Sequence, residues 1–269
     1  MTWIIADLHG CARTLERLLA RIHAIDSQAK FVFVGDYADR GKNSKDVVDI
    51  ILGLPTESIL ACLRGNHCDV IDWLLNKHST SMLEQFNGEV PSESEVVYWW
   101  MQNGLKETIE SYGVTSHLVT AGVYNNLGFS PTAVVEEFRG KVPESHKRFY
   151  ETLTLTWENE THFAVHAWAD PQSSSPTEFA EGSTKPLWNR FPRRMGGDIA
   201  YVEPIWNKIG VFGHTPVSYY NAVAPIKMEK IRLIDCCAFD GESLTSYCCE
   251  TDDWISQATV DEDTWRKKE

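Results

Sequence analysis

Five short groups of residues in this chain could do chemistry together. They are Asp7-Leu8-His9-Gly10, Gly35-Asp36-Tyr37-Ala38-Asp39-Arg40-Gly41, Arg64-Gly65-Asn66-His67, His166-Ala167 and Gly213-His214-Thr215-Pro216. Clustered carboxylates need a cation, and mixed oxygen and imidazole donors suit Mn, Fe or Zn better than Ca or Mg. Asp7, His9, Asp36, Asn66, His166 and His214 together exceed the three or four protein ligands of a single zinc site. One carboxylate can bridge two ions. Two ions roughly 3.5–4 Å apart serve in-line phosphoryl displacement, and a water between them ionises near neutral pH to become the nucleophile. Arg40 beside the carboxylates points to an anionic substrate such as phosphate.

These groups need elements that bring them together. Phe31 to Val34 are apolar without alternation, the pattern of a strand buried on both faces. Trp3 to Ile5 and Ile59 to Leu63 are further apolar runs, and each of the three runs ends in one of the polar groups. Between them, Leu15, Leu18, Leu19 and Ile22 recur at helical spacing, as do Val47, Ile50, Ile51 and Leu54 in a helix that Ser44 is expected to cap. Val70, Ile71, Leu74 and Leu75 mark a third helix. The order β-α-β-α-β-α with right-handed crossovers makes the strands parallel, so all three groups emerge at one sheet edge.

The middle of the chain is less explicit. Ser79 to Glu95 reads as loop, Val96 to Tyr112 as helix with Trp99, Trp100 and Leu105 inward, and Pro131 as the start of another helix. No linker divides the chain, which reads as a single domain over 1–269 with a helical insertion at about 77–151 and a peripheral charged tail at about 252–269. Leu153 to Trp157 and His162 to Val165 form a hairpin pattern, Gln172 to Lys185 a surface loop, and Ile209 to Phe212 another strand. Asp240-Gly241 between Ile231–Ile234 and Leu244–Tyr247 signals a second hairpin.

The bulk composition narrows the partners. With 269 residues and a formal charge of −13, binding to nucleic acid or to an anionic membrane is disfavoured. No apolar run spans a bilayer, and the N-terminus lacks a basic leader region, so a cytoplasmic location is expected. Seven cysteines, an odd number that includes the pairs Cys236-Cys237 and Cys248-Cys249, fit reduced, packed thiols. His23, His78, His117, His146 and His162 fall outside the five groups and read as surface or satisfied core residues. Nothing in the sequence fixes the oligomeric state.

In order and spacing the five groups resemble the calcineurin-like metallophosphoesterases, and within them the phosphoprotein phosphatases of bacteria and bacteriophage. Leu187-Trp188-Asn189-Arg190 and Ile234-Asp235 resemble later segments of that group, so the likeness covers nearly the whole chain. It implies an α/β metallophosphoesterase fold of two mixed β-sheets packed as a sandwich flanked by helices. It implies two divalent ions, expected to be Mn with Fe or Zn as alternatives. Asp7, His9 and Asp36 would hold the first; Asp36, as the bridge, would hold the second with Asn66, His166 and His214. His67 would be the general acid oriented by Asp39, and Arg40, Asn66 and Arg190 would bind the substrate phosphate. The pattern departs at Ala6, at Cys68 where an acidic residue is usual, and at Cys236-Cys237.

The expected activity is phosphomonoester hydrolysis on phosphorylated serine or threonine, with tyrosine as an extension, by attack of a metal-bridging hydroxide. The substrate would be a phosphorylated protein or a small phosphoester. The alternative is hydrolysis of dinucleoside polyphosphates such as diadenosine tetraphosphate, by enzymes that share every group quoted. A remoter reading is a catalytically silent metal-binding scaffold, against which an intact His67, Asp39 and Arg40 argue.

Overall fold

Phe31, Val32 and Phe33 are wholly buried in a strand flanked on both sides by others, as a continuous apolar run requires. Each such side chain contributes roughly 1.5–3 kcal/mol by leaving water. The computed structural model describes residues 1–77, 81–114, 131–175 and 184–265. Its first half alternates β1 (Thr2–Ile5), α1 (Ala12–Ile25), β2 (Lys30–Phe33), α2 (Ser44–Gly53), β3 (Ile59–Cys62) and α3 (Asn66–Asn76). β1, β2 and β3 are parallel neighbours, with Ile4 beside Val32 and Ile5 beside Phe33.

Helices fill the stretch between the sheets: α4 (Ser81–Gln85), α5 (Glu93–Trp100), α6 (Leu105–Ser111), α7 (Pro131–Lys141) and α8 (Glu144–Glu151). Two expectations need correction here. Part of the Ser79–Glu95 segment is helical rather than loop, and Ser92 starts α5 with a reciprocal capping box to Glu95. The single helix expected over Val96–Tyr112 is broken at Gly104, whose φ of 97° suits glycine.

The second half adds β4 (Thr156–Glu158), β5 (His162–Val165), α9 (Lys185–Trp188), β6 (Ile209–Phe212), β7 (Ile226–Lys227), β8 (Ile231–Leu233), β9 (Ser243–Cys248) and β10 (Asp253–Ala258). The two five-stranded sheets run β10-β9-β1-β2-β3 and β4-β5-β6-β8-β7. β5, β6 and β8 are parallel, and antiparallel strands edge both sheets. Alternation sorts the core. Ala164, Val211 and Ile234 join the cluster that holds Ile4 and Phe33, whereas Phe163, Val165, Phe212 and Leu233 form a second cluster with Phe191, Trp206 and Tyr220.

Asp240-Gly241 is not a hairpin turn. It closes a 3-10 turn at Ala238–Asp240, and the chain crosses from β8 in one sheet to β9 in the other. Ser44 is not a cap either: it is the first residue of α2, and its hydroxyl lies 3.2 Å from that of Thr108.

The stretch read as a charged tail supplies the edge strand β10 and a remote cap for α1. Asp263, completely buried, accepts hydrogen bonds from Thr14 N–H (2.6 Å), Thr14 hydroxyl (2.7 Å) and Arg13 N–H (3.4 Å). These backbone donors are the orphans of the first helical turn, for which Cys11 offers no side-chain acceptor. Asp263→Ala is therefore expected to destabilise the fold by about 2 kcal/mol. In urea unfolding the midpoint should fall with the slope unchanged; a shift within error would refute the cap.

Candidate active site

Three parallel strands from each sheet end at one place. Asp7 follows β1, Asp36 follows β2, Asn66 follows β3, His166 follows β5, His214 follows β6 and Asp235 follows β8. Bonds between loops fix the convergence: His9 N–H donates to Asp36 O at 2.7 Å, and Gly213 N–H to His166 O at 2.8 Å. The backbone is forced into unusual shapes here. His9, Asp36, Asp39, Arg40 and His214 all have φ between 40° and 71°, a region that costs a non-glycine residue of order 1–3 kcal/mol. Close approach also explains two glycines. A Cβ on Gly65 would lie 2.1 Å from Asp36 Oδ1, and one on Gly213 would lie 1.9 Å from Asp7 Oδ1.

Two overlapping groups of side chains could each hold a metal ion: His9, Asp36 and His67, and Asp36, His166 and His214. Asp36 belongs to both. Asn66 joins the second, its Oδ1 lying 3.1 Å from His166 Nε2 and 3.0 Å from His214 Nδ1. Asp7 sits beside this group, its carboxylate accepting the His214 N–H at 2.9 and 3.1 Å. Imidazole orientation comes from backbone carbonyls: Ala38 O is 2.9 Å from His9 Nδ1, and Val34 O is 2.9 Å from His166 Nδ1.

The electrostatics suit a cation. Burial pushes the Asp7 carboxyl well above its usual range, and the charges of Asp235 and Asp36 push it further. Burial likewise raises Asp235, and the Asp36 charge adds to the rise. Burial opposes the Asp36 charge too, yet His166, His67 and His9 around it hold this carboxyl well below the usual range. Burial disfavours a charged His166, but Asp36 at 3.3 Å lifts it to about 9. Burial, then the positive fields of His166 and Arg190, push His214 well down, leaving a neutral imidazole ready to ligate. His214 Nε2 and Asp235 Oδ2 are buried with no hydrogen-bond partner among the described residues. Crowded carboxylates and orphaned donor atoms are what a divalent ion relieves. The residues present therefore fit the metal pair expected of them.

Arg40, Asp39 and His67 form a second constellation. The Arg40 guanidinium donates to His9 Nε2 (2.9 Å) and to His67 Nε2 (3.0 Å). Both rings accept there, so their protons sit on Nδ1, and His67 Nδ1–H donates to Asp39 Oδ2 at 2.7 Å. Asp39 is itself fixed: Trp100 Nε1–H donates to the same oxygen at 2.6 Å, and the Thr108 hydroxyl donates to Oδ1 at 2.7 Å. Cys68 thus leaves His67 well supported, and Asp69 pairs with Arg64 at 3.2 Å. Arg190, just after α9, faces the same cleft as Arg40, Asn66, His67 and His214.

Other expectations resolve plainly. His162 Nε2 meets the Tyr247 hydroxyl at 3.1 Å, away from the site, and His146 lies between Tyr112 and Asp49. His23 bonds the Leu19 carbonyl, while His78 and His117 lie outside the described residues. All seven cysteines are free thiols. Cys236 packs into the second core cluster and Cys237 against the first. Sequence reasoning left Asp235 without a role, although an apolar run followed by a carboxylate is the signal that marked Asp7 and Asp36. The Trp100 and Thr108 contacts had no local signal.

A model of the calcineurin-like phosphoesterase family matches residues 1–218. The chain belongs to this family. As a metallophosphoesterase it is a phosphoester-cleaving hydrolase of a family that works with a binuclear metal centre. It is 25% identical over 270 residues to the asymmetrical bis(5'-nucleosyl)-tetraphosphatase PrpE of Oceanobacillus iheyensis, covering 95% of this chain and 91% of that one. A shorter match, 38% identical over 66 residues, is to a symmetrical bis(5'-nucleosyl)-tetraphosphatase of Coxiella burnetii, covering 24% of this chain and 22% of that one. Among solved structures, one provisionally named a diadenosine tetraphosphatase superposes with a TM-score of 0.58 at 15% identity, over 97% of this chain and 94% of that one. A Saccharomyces cerevisiae protein serine/threonine phosphatase, similar to human phosphatase PP5, gives 0.51 at 12% identity, over 97% and 80%. At those identities the structural likenesses speak for the metallophosphoesterase fold. Among the described residues, no helix is long and apolar enough to cross a membrane.

Proposed function

We propose that this metallophosphoesterase hydrolyses dinucleoside polyphosphates. The shape of the site carries the reading. Two cavities, of about 510 and 440 Å³, meet at Arg40, Asn103, Arg190 and His214, and Asp36 and Asn66 of the proposed metal floor line the smaller one. Aromatic rings line both: Tyr219, Phe239 and Trp265 on one side, Trp99, Trp100 and Trp188 on the other. A phosphate chain with a nucleoside at each end suits a charged floor between two aromatic recesses, and similarity to a tetraphosphatase along nearly the whole chain supports it. Hydrolysis of phosphoserine or phosphothreonine, which the motifs suggest first, has neither support: the protein phosphatase likeness is one of fold.

In this proposal Asp7, His9 and Asp36 hold one ion, and Asp36, Asn66, His166 and His214 the other. Bound there, the metal pair supplies the positive charge that activates a water and stabilises phosphoryl oxygens. Arg40 and Arg190, with the Asn66 amide, grip the phosphate oxygens, because a planar guanidinium matches them two at a time. His67, held by Asp39 at Nδ1, acts as the general acid in its imidazolium form: with Arg40 turned to the phosphate, Nε2 carries a second proton and gives it to the departing oxygen. Mn is the metal to supply first, with Fe and Zn as alternatives.

Chelation is expected to abolish hydrolysis of every substrate, and Mn to restore it. On the restored enzyme, kcat/KM should rank diadenosine tetraphosphate above nitrophenyl phosphate, and both above a phosphoserine peptide or a phosphodiester. A phosphopeptide ranked first would overturn the substrate reading, and full activity in excess chelator would overturn the metal mechanism.

A further inference from the structure

The larger cavity has aromatic walls, Tyr219, Phe239 and Trp265, that the phosphate chemistry does not use. Its two walls are alike: each is an aromatic ring with a guanidinium laid on it. Arg40 lies over Phe239 at 4.3 Å from the ring centroid, and Arg190 lies near Tyr219 at 5.2 Å. Both arginines line the cavity, so the groups proposed to grip phosphate are also flat walls of the adjoining space. Trp265 extends the Phe239 wall, its ring 6.1 Å from Phe239 and its backbone N–H donating to Phe239 O at 2.7 Å. Gln102 and Asn103, carried by the 3-10 turn Met101–Asn103, bring side-chain amides to the rim.

We propose that this cavity is a nucleobase subsite, taking the base of the nucleoside whose phosphate is held by Arg40 and Arg190. Guanidinium and aromatic planes both stack on the π-face of a purine. The amides offer a donor and an acceptor each to the base edge. The volume and the amides favour a base over the side chain of phosphotyrosine, which is smaller and has no ring heteroatoms for them to meet. Arg193, at 4.8 Å from the Tyr219 ring, steadies that wall from the neighbouring hairpin, in which Arg194 N–H bonds Asp198 O. This assignment rests on the dinucleoside polyphosphate reading for its substrate, but it predicts base recognition by itself.

The test compares AMP with ribose 5-phosphate, which carries the same phosphate without the base. They are measured as competitive inhibitors of initial-rate nitrophenyl phosphate hydrolysis by the metal-loaded enzyme. AMP should bind about tenfold or more tightly than ribose 5-phosphate, since stacking of one base is worth that much. Tyr219→Ala and Trp265→Leu, one on each wall, should each cut this ratio at least threefold, while the constant for ribose 5-phosphate moves less than twofold. Circular dichroism and thermal unfolding check that each variant is folded. Equal binding of AMP and ribose 5-phosphate by the unmodified enzyme, an unchanged ratio in both folded variants, or phosphotyrosine binding tighter than AMP would overturn the subsite. AMP preference without cleavage of diadenosine tetraphosphate would instead sink the proposed substrate and leave the subsite standing.

Discussion

Asp36→Asn is expected to strip bound metal from the protein and to lower kcat/KM on nitrophenyl phosphate by about 10³-fold or more. Asp36 is the residue common to both candidate ligand groups. It is also the anion that His166, His67 and His9 surround. An amide keeps the shape but loses the charge, and its NH₂ face cannot ligate. Losing even part of the charge stabilisation of a metal pair removes several kcal/mol, and each 1.36 kcal/mol is a factor of ten in rate. Elemental analysis of metal per chain, after gel filtration, is the direct readout. Two ions retained at full occupancy would show that Asp36 is not the bridge. Asn66→Ala gives the contrast, because Asn66 belongs to the second group alone: it should weaken binding of one ion and spare the other.

His67→Asn is expected to separate substrates by leaving group. A positioned general acid is worth roughly 10²–10⁴-fold where the departing oxygen is a poor leaving group. An alkoxide, as from glycerol phosphate or a phosphoserine peptide, is such a group. Nitrophenolate and the terminal phosphate of a nucleotide leave at much lower pKa and need little protonation. The variant should therefore lose most of its activity on alkyl phosphates and keep much of it on nitrophenyl phosphate and diadenosine tetraphosphate. His67 also stands in a candidate metal group with His9 and Asp36, so metal content must be measured in parallel. Equal losses on all substrates with metal retained would dismiss the general acid, and loss of metal would make His67 a ligand. If Trp100 and Thr108 act through Asp39, Trp100→Phe should reproduce the same leaving-group pattern in weaker form.

The parts legible in the sequence were those written locally. Phe31 to Phe33 announce a central strand because both faces are buried, and Asp36 and Asn66 could be placed together because parallel crossovers leave one edge for them. What stayed hidden depends on partners far along the chain. β10 carries polar and charged residues because it is an edge strand, so its composition resembles a tail. Asp263 looks like one acid among several until Thr14, 249 residues away, is seen against it. The Asp240-Gly241 signal was real as a turn but said nothing about which sheet the next strand would join. Trp100 reads equally well as core, and it is core. Its indole N–H reaching Asp39 is a matter of how the end of α5 meets the loop after β2, which no periodicity records.

The left-handed backbone at His9, Asp36, Asp39, Arg40 and His214 sets a conflict between endurance and work. These positions are where glycine or asparagine would relax the chain, yet each carries a side chain that the chemistry requires. A selection for heat resistance alone would drift toward relaxed residues there, with Arg40 and His214 the easiest to lose because they are half-buried while His9, Asp36 and Asp39 are fully buried. The resulting proteins would be sturdier and inert. Selection of this fold for robustness must therefore keep turnover under scrutiny at the same time, and its safest gains lie far from the strand ends.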